Sequence, residues 1–367
     1  MMKKKFAIHS RKNWTEFSWN EKLVSPLLNE VIRLQGKLCG LMLALGFSQK
    51  TEAMLNTLTL DVLKSSEIEG EKLNYEQVRS SIARRLGMDV AGMVKSNRAI
   101  DGVVEMMLDA TQNFKQSLTE KRLCEWHTIL FSSGYGPKIL IGKYREEEMQ
   151  IVSGRIGHLN VHYEAPKPGR LLQEMSCFLE WFNNENKLNH ILKSAISHFW
   201  FVTIHPFDDG NGRIARAISD MMLARSDNSS QRFYSMSAQI LKERKKYYDV
   251  LEVTQHGNSD ITQWLLWFLE CLKKALFESE KIVHSVIFKA NFWDKHRDTP
   301  LNSRQRLMLN KLLDGFHGKL QSSKWAKIAK CSPDSALRDI KDLLDKGILK
   351  QDLHGGRSTA YELASFP

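Results

Sequence analysis

The stretch His205-Pro206-Phe207-Asp208-Asp209-Gly210-Asn211-Gly212-Arg213-Ile214-Ala215-Arg216 limits what this chain can become more than any other part of it. Pro206 pushes the residue before it out of the α region, so a helix entering this stretch must stop at Ile204 and leave His205 at its end. Asp209-Gly210-Asn211-Gly212 tolerates positive φ, and a new helix is predicted from around Arg213. Consecutive backbone N–H groups in such a turn can converge into an anion-binding nest, reinforced by the positive end of the helix that follows. Arg213 and Arg216, three residues apart, share one face of that helix. A histidine, a carboxylate, an amide nest and two guanidinium groups therefore meet on one loop, which is what a magnesium–nucleotide site with a proton acceptor requires. An isolated D-G-N-G would more readily be an ordinary helix–helix connection beside a core histidine.

The surroundings predict a mostly helical frame. Ser25-Pro26 reads as an N-cap with a first-turn proline, after which Leu27, Val31, Leu34, Leu38, Leu41 and Leu45 keep one apolar face up to a stop at Gly46. Further helices are expected over 51–64, from near Asn74, over 171–183 and over 190–204, with Ile191, Ala195, His198, Phe199 and Val202 on a buried stripe. That stripe makes His198 a core histidine. Residues 142–166, rich in Gly, Val, Ile and Tyr, read as a small β-hairpin with turn candidates at Ser153-Gly154 and Gly157. A chain of 367 residues exceeds one hydrophobic core. We expect an N-terminal helical region over 1–100, a core over 101–285 that carries the loop, and a third region over 286–367.

Composition removes several classes. With 42% hydrophobic and 26% charged residues the chain is not globally disordered, and eight prolines without a Gly/Ser-rich tract exclude collagen-like and low-complexity readings. No apolar run is long enough to span a bilayer, and Lys3-Lys4-Lys5 leads into Ser10, Arg11, Lys12 and Asn13 rather than a leader's apolar segment. The expectation is a cytoplasmic protein without a membrane partner. Cys39, Cys124, Cys177, Cys271 and Cys331 are widely spaced, form no C-x-x-C pair and receive no function. The formal charge of +11, from 53 basic and 42 acidic residues, points to an anionic ligand or partner.

The loop closely resembles the signature of the Fic family, H-P-F-x-D-G-N-G-R-x-x-R, and departs at none of its defining positions. The resemblance implies a protein adenylyltransferase that moves AMP from Mg-ATP to a Ser, Thr or Tyr hydroxyl of another protein, on a helical Fic core with a β-hairpin flap. By matching positions, His205 is the general base and Asp209 holds the Mg²⁺ cofactor. Gly210, Asn211 and Gly212 form the anion hole, and Arg213 and Arg216 grip the β- and γ-phosphates. Phe207 is structural and Asp208 has no role. Gly142-Lys143-Tyr144-Arg145 and the hairpin resemble the flap, so residues 142–166 would dock the target by strand addition. Tyr247 and Tyr248 fall where relatives keep a tyrosine pair beside the adenine pocket, and Gln255 where asparagine is common; helix packing is the alternative for both tyrosines. A Doc-like phosphate transfer is disfavoured by Gly212, and phosphocholine as donor stays open.

Ser65-Ser66-Glu67-Ile68-Glu69-Gly70 resembles the family's inhibitory motif. Ser66 and Glu69 alone would also make a capping box for the next helix. The resemblance implies that Glu69 forms a bidentate pair with Arg216 and fills the γ-phosphate position, with Ser65 and Gly70 as the motif's flanks; the same glutamate serves AMP removal in some relatives. Trp14 to Phe47 resembles a small helical segment preceding some bacterial Fic cores.

The C-terminal region carries twelve Lys/Arg against seven Asp/Glu from Leu301 onward. Helices over 304–313 and 323–330, a third from Ser332-Pro333 to near Gly347 with Leu337, Ile340, Leu343 and Leu344 inward, and two strands around His354 to Arg357 resemble a winged helix-turn-helix. DNA binding through 301–367 is left open, because Asp334, Asp339, Asp342 and Asp345 reduce the charge of the reading helix. The rival to the enzyme is accordingly a DNA-binding regulator whose loop senses nucleotide. A homodimer is also left open.

Overall fold

The computed structural model describes residues 6–43, 46–88, 93–132, 139–155, 158–313, 320–352 and 359–364. The chain divides into two compact units, Met1–Lys281 and Ile282–Pro367.

The first unit is built around two helices. Helix α7 (His190–Ile204) is buried at every position from Ile191 to Ile204, the pattern of a helix hydrophobic on all sides. Its partner α8 (Asn211–Asp227) is buried from Arg213 to Ala224. Around this pair lie α1 (Glu21–Leu43), α2 (Phe47–Ile68), α3 (Tyr75–Arg85), α4 (Arg98–Gln112), α5 (Glu120–Leu130), α6 (Leu171–Asn184), α9 (Met236–Lys242), α10 (Arg244–Gln255) and the first part of α11 (Thr262–Lys295). Trp264 on α11 donates its indole N–H to the Ala195 carbonyl at 2.8 Å, tying that helix to the middle of α7. The antiparallel hairpin of β1 (Gln150–Arg155) and β2 (His158–Glu164) enters between α5 and α6, with a register shift at Ile151/Val152.

Several expectations are corrected. Helix α1 begins at Glu21, where Asn20 accepts the amides of Leu23 and Val24, so Pro26 lies inside the helix rather than in its first turn. The missing Pro26 N–H costs the ladder one bond, tolerated this near the N-terminus. Helix α2 overruns the expected 51–64 at both ends, because its apolar positions Leu58 and Val62 continue to Ile68. Ser153-Gly154 lies within β1 and is not a turn, and Gly157 lies outside the described residues.

The end of α2 carries Ser65 to Gly70. Gly70 N donates to Glu67 O and Glu71 N to Ser66 O, both at 3.0 Å, with Gly70 at φ +88. That pair of bonds closes a Schellman motif, which needs a left-handed residue at the position glycine occupies. Ser66 and Glu69 therefore sit at a helix C-terminus and not in a capping box; α3 is capped instead by Asn74, whose side chain accepts the Gln77 amide. Asp61 on α2 accepts Ser235 Oγ and the Ser237 amide at the start of α9, fixing the helix that carries the motif.

The second unit holds α12 (Ser303–Leu313), α13 (Ser322–Ile328), α14 (Pro333–Asp345) and an antiparallel pair of β3 (Leu349–Asp352) with β4 (Ala360–Leu363). Trp325, Ile340, Leu343 and Met308 form its core. Leu337, expected inward, is 47% exposed, because Ala336 and Ile340 take the inward line and put position 337 a third of a turn away. His354 to Arg357 lie outside the described residues.

Candidate active site

Helix α7 ends where Pro206 requires. His205 adopts φ 51, ψ 60, a left-handed conformation in a non-glycine residue, and its amide still closes on Phe201 O. The turn is then stitched by side chains. Asn211 accepts the Phe207 amide at 3.0 Å and donates to the Phe207 carbonyl at 2.7 Å, and Phe207 is fully buried, stacked on His127 at 4.3 Å. Arg145 binds the loop from the flap side, donating its N–H to Pro206 O and Nε to His205 O, while its other nitrogens hold Glu147 O and Pro166 O at the base of the hairpin. Asp208 accepts the Leu140 amide at 2.9 Å.

Gly210, at φ 78, is the N-cap of α8, which starts at Asn211 rather than at Arg213. The first ladder bond runs from Ile214 N to Gly210 O, so the amides of Asn211, Gly212 and Arg213 point out of the helix start. Asn211 can serve an anion only through its backbone, since its side chain is spent on Phe207. Asp209 is exposed, with Oδ1 accepting the Gly210 amide at 2.6 Å.

His205 Nδ1 lies 3.2 Å from the Val202 carbonyl, an acceptor only. That contact places the imidazole proton on Nδ1 and leaves the lone pair on Nε2. Burial pushes the His205 pKa down to about 4 against the opposing pull of the Val202 carbonyl. The neutral form is therefore retained down to that pH, and any reaction that needs the neutral ring should fall only as pH drops through about 4 instead of 6.5. Nearby Glu69 raises this pKa, so removing it would lower the limb further. A kcat/KM profile with its acid limb near 6.5 would contradict a buried neutral base.

Both arginines are buried, at 3% and 1% side-chain exposure, and both already hold carboxylates. Arg216 Nη2 lies 2.9 Å from Glu69 Oε1, while its Nε donates to Ser65 Oγ and Nη2 to Ser65 O. The contact is one-pronged, where a bidentate pair was expected: Ser65, in the last turn of α2, holds Nε, and the remaining Nη1 takes no second carboxylate oxygen. Arg213 Nη1 meets Glu71 Oε2 at 2.9 Å, and its guanidinium lies over the Phe131 ring. Arg216 Nη1 and Arg213 Nε are buried without a hydrogen-bond partner among the described residues. A Cβ on Gly212 would come within 2.1 Å of Glu69 Oε1, so the carboxylate rests directly on the backbone of the amide turn.

A cavity of about 440 Å³ opens in front of these groups, inside the range of small-ligand sites. Glu69, His205 and Gly212 line one end, Ile151, Val152, Ser153 and His162 the flap side, and Tyr248 and Gln255 the α10 side. Both tyrosines line the cavity: Tyr248 is 38% exposed with Arg244 beside its ring, and Tyr247 is buried with its hydroxyl 2.9 Å from His198 Nε2. Ser219 Oγ donates to Ala215 O and so accepts from His198 Nδ1, which makes Tyr247 a donor to Nε2 and His198 a satisfied neutral core group, its pKa held to about 3 by burial. Gln255 is buried and reaches Thr203 Oγ1 at 3.3 Å.

Sequence reading missed Glu71, His127, the brace of Asp208 and the loop contacts of Arg145, a residue it places only in the flap segment. Glu71 left a signal, two residues past the motif glutamate with a glycine between.

The model of the Fic/DOC family matches residues 117–223, and a domain of unknown function (DUF4172) matches residues 7–88. Among curated proteins the chain is 28% identical over 218 residues to the protein adenylyltransferase Fic of Drosophila willistoni, and 28% identical over 219 residues to that of Aedes aegypti. Each match takes in 59% of this chain and 40% of the relative, so the chain spans well under half the length of these relatives. Among solved structures, a Fic family protein from Desulfovibrio desulfuricans aligns over 94% of this chain and 97% of its own, with TM-score 0.54 and 19% identity. A Fic domain containing signaling protein from Bacteroides thetaiotaomicron aligns over 70% and 96%, with TM-score 0.54 and 18% identity. Residues 117–223 are thus a Fic/DOC family domain in a mostly helical Fic fold, and among the described residues no helix is long and apolar enough to cross a membrane.

Proposed function

We propose that the protein is an adenylyltransferase, transferring AMP from Mg-ATP to a Ser, Thr or Tyr hydroxyl of a target protein, and that its N-terminal region holds it inhibited. The observation that carries this reading is the pair of buried arginines behind the amide turn of α8, each with a nitrogen that lacks a partner among the described residues, while Gly212 of that turn and a neutral His205 line one cavity. Buried donors of this kind are costly unless an acceptor arrives, and a polyphosphate supplies several.

In this reading the adenine end lies between Val152, Tyr248 and Gln255, and the phosphates run along the amides of Asn211, Gly212 and Arg213 toward Arg213 and Arg216. His205 takes the proton of the target hydroxyl at Nε2 as that oxygen attacks the α-phosphorus and pyrophosphate leaves. Asp209 suits a magnesium ion that travels with its nucleotide: one exposed carboxylate, a hard oxygen donor, beside the phosphate path. The ion would neutralise charge on the phosphates. The target is held by the edge of the 142–166 flap, whose base Arg145 fixes to the catalytic loop.

The brake has two carboxylates in this proposal. The Schellman turn presents Glu69 and Glu71 from one helix end to Arg216 and Arg213, so both phosphate-binding cations are occupied at once. The test is mass spectrometry of the full chain and candidate targets after incubation in Mg-ATP, with the brake residues intact and replaced. Gain of one AMP mass on a hydroxyl residue is the expected product; gain of a phosphate or phosphocholine mass instead would assign another donor.

We read the second unit as an appended winged helix. Asp339 and Asp342 are spoken for by Arg304, Asn302, Gln305 and Lys346, which leaves Arg338 and Lys341 exposed on α14. DNA binding that weakens with salt and with Arg338→Ala, without AMP transfer under any condition, would favour the regulator over the enzyme.

A further inference from the structure

Away from the nucleotide cavity, α2 and α8 bring two buried carboxyl groups together. Asp61 lies one turn before Ser65 on α2, and Asp220 one turn after Arg216 on α8. Both line a small cavity of about 10 Å³, room for at most one water and too little for a hydrated ion. The donors lining it are committed elsewhere. The Thr57 and Thr111 hydroxyls donate to Ala53 O and Met107 O of their own helices, and the Tyr234 hydroxyl donates to Asp227. Arg232 gives Nη1 to the main-chain carbonyl of Asp220 and Nη2 to Tyr234 O. Its charge lies 2.9 Å from Asp220 Oδ1, yet neither carboxyl oxygen of Asp220 accepts a hydrogen bond among the described residues. Asp61 differs, since its Oδ1 accepts Ser235 Oγ and the Ser237 amide. One group is thus a satisfied acceptor and the other a buried carboxyl without a donor, which is costly for a carboxylate and not for an acid that donates. Burial pushes the Asp220 carboxyl well up, opposed by Arg232 and reinforced by Asp61. Of the other charges around it, Asp227 at the end of α8 is held by Gln35 and Tyr234, and Arg216 is turned to Glu69; α4 adds only uncharged Met107 and Thr111.

We infer that Asp220 and Asp61 share a proton that clamps α2 onto α8, and that its loss at alkaline pH releases Glu69 and Glu71 from the two arginines. The inference deepens the brake and rests on that reading. Asp61, Ser65 and Glu69 follow one another at intervals of one turn along α2 and its C-cap, and Arg213, Arg216 and Asp220 do so along α8, so clamp and brake belong to one helix–helix contact. With the proton in place, the Asp220 O–H donates to Asp61 and the contact carries a single negative charge beside Arg232. When the O–H bond breaks, the proton leaves to hydroxide or buffer and two carboxylates remain in a gap that holds little water. Their repulsion opposes the packing of α2 on α8. The sign follows from the direction of the shift: a carboxyl raised by folding stabilises the closed contact at low pH and withdraws that stability as pH rises.

The experiment measures Mg-ATP affinity of the full chain from about pH 7 to about pH 9.5, with mass detection of AMP transfer alongside. Each affinity is divided by that of the Glu69→Gly/Glu71→Gln chain at the same pH, which removes the titration of the nucleotide and of other groups at the site. For the wild type this ratio is expected to start low and climb toward one, by up to about tenfold per pH unit, the limit for one linked proton. In Asp220→Asn the amide still offers Asp61 a donor but cannot ionise, so the ratio stays at its starting value throughout. Asp61→Asn removes the opposing charge and should abolish the climb as well, which keeps the test intact if one of the two variants does not fold. A wild-type ratio that stays flat across the range would overturn the inference, and so would an equal climb in both variants, since another group would then be titrating. AMP transfer with a flat ratio leaves the adenylyltransferase reading standing without the clamp. The expected ratios with no AMP on any residue or target would overturn that reading and keep the clamp as a gate on nucleotide binding.

Discussion

Glu69→Gly should raise AMP transfer by roughly ten- to a hundred-fold, and Glu71→Gln in the same chain should raise it again. The magnitude follows from burial. A solvent-exposed ion pair contributes about 0–1 kcal/mol and a fully buried one resists loss of a partner by about 3–5 kcal/mol. Arg216 is buried and Glu69 is 31% exposed, so the contact lies between these limits, and each 1.4 kcal/mol is a factor of ten in competition with a phosphate. Glu71 has similar exposure, 27%, and meets a similarly buried Arg213, so the second release is of comparable size. The two carboxylates share one helix end and should not act independently. Freeing Glu69 alone removes the group lying on Gly212, but the Schellman turn still holds Glu71 against Arg213. Rates and triphosphate affinity for the wild type, both single variants and the double variant form a cycle whose coupling term measures this. Unchanged rates in Glu69→Gly and in the double variant would remove the brake from the account; a gain in the first with none from Glu71→Gln would reduce Glu71 to a packing residue.

The sequence made the 205–216 loop legible because its constraints are local. Pro206 ends a helix, Gly210 takes a positive φ, and two arginines follow in one turn, so the meeting of His205 with the start of α8 is fixed within a dozen residues. The helices over 171–184 and 190–204 were readable for a similar reason, since their apolar periods are long and unbroken. What failed needed tertiary partners. Pro26 lies inside α1 because Asn20, held by Thr262 from the far end of the unit, starts the helix earlier than Ser25 could. The turn placed at Ser153-Gly154 was a strand because its neighbour 158–164 supplied the pairing. Glu71 was legible only as one more acid after a glycine until the Schellman geometry turned it toward Arg213. Arg145 was part of a recognised flap segment, but nothing in its neighbours says that four backbone carbonyl and amide contacts would join flap to loop.

Replacing His205 should lower transfer to a target hydroxyl by about 10²–10⁴-fold, the usual worth of a positioned base, in the Glu69→Gly background where the rate is measurable. Alanine alone would not isolate the chemistry, because position 205 is held at φ 51 and a residue there must tolerate the left-handed region. Asparagine is the informative comparison: it enters that region readily and can donate to the Val202 carbonyl as Nδ1 does, but it offers no basic nitrogen. If His205 acts as the base, His205→Asn and His205→Ala lose transfer alike while triphosphate binding stays within about threefold, since the amides and arginines proposed to hold the phosphates are untouched. If asparagine restores most of the rate, the histidine serves the loop's shape and not the proton. The opposite pattern, equal loss of transfer and of binding in both variants, would show that the turn collapses without the imidazole. A base that is neutral down to about pH 4 makes a further demand: the activity lost in these variants must be the same at pH 5.5 as at pH 8, because the wild-type base is already available at both.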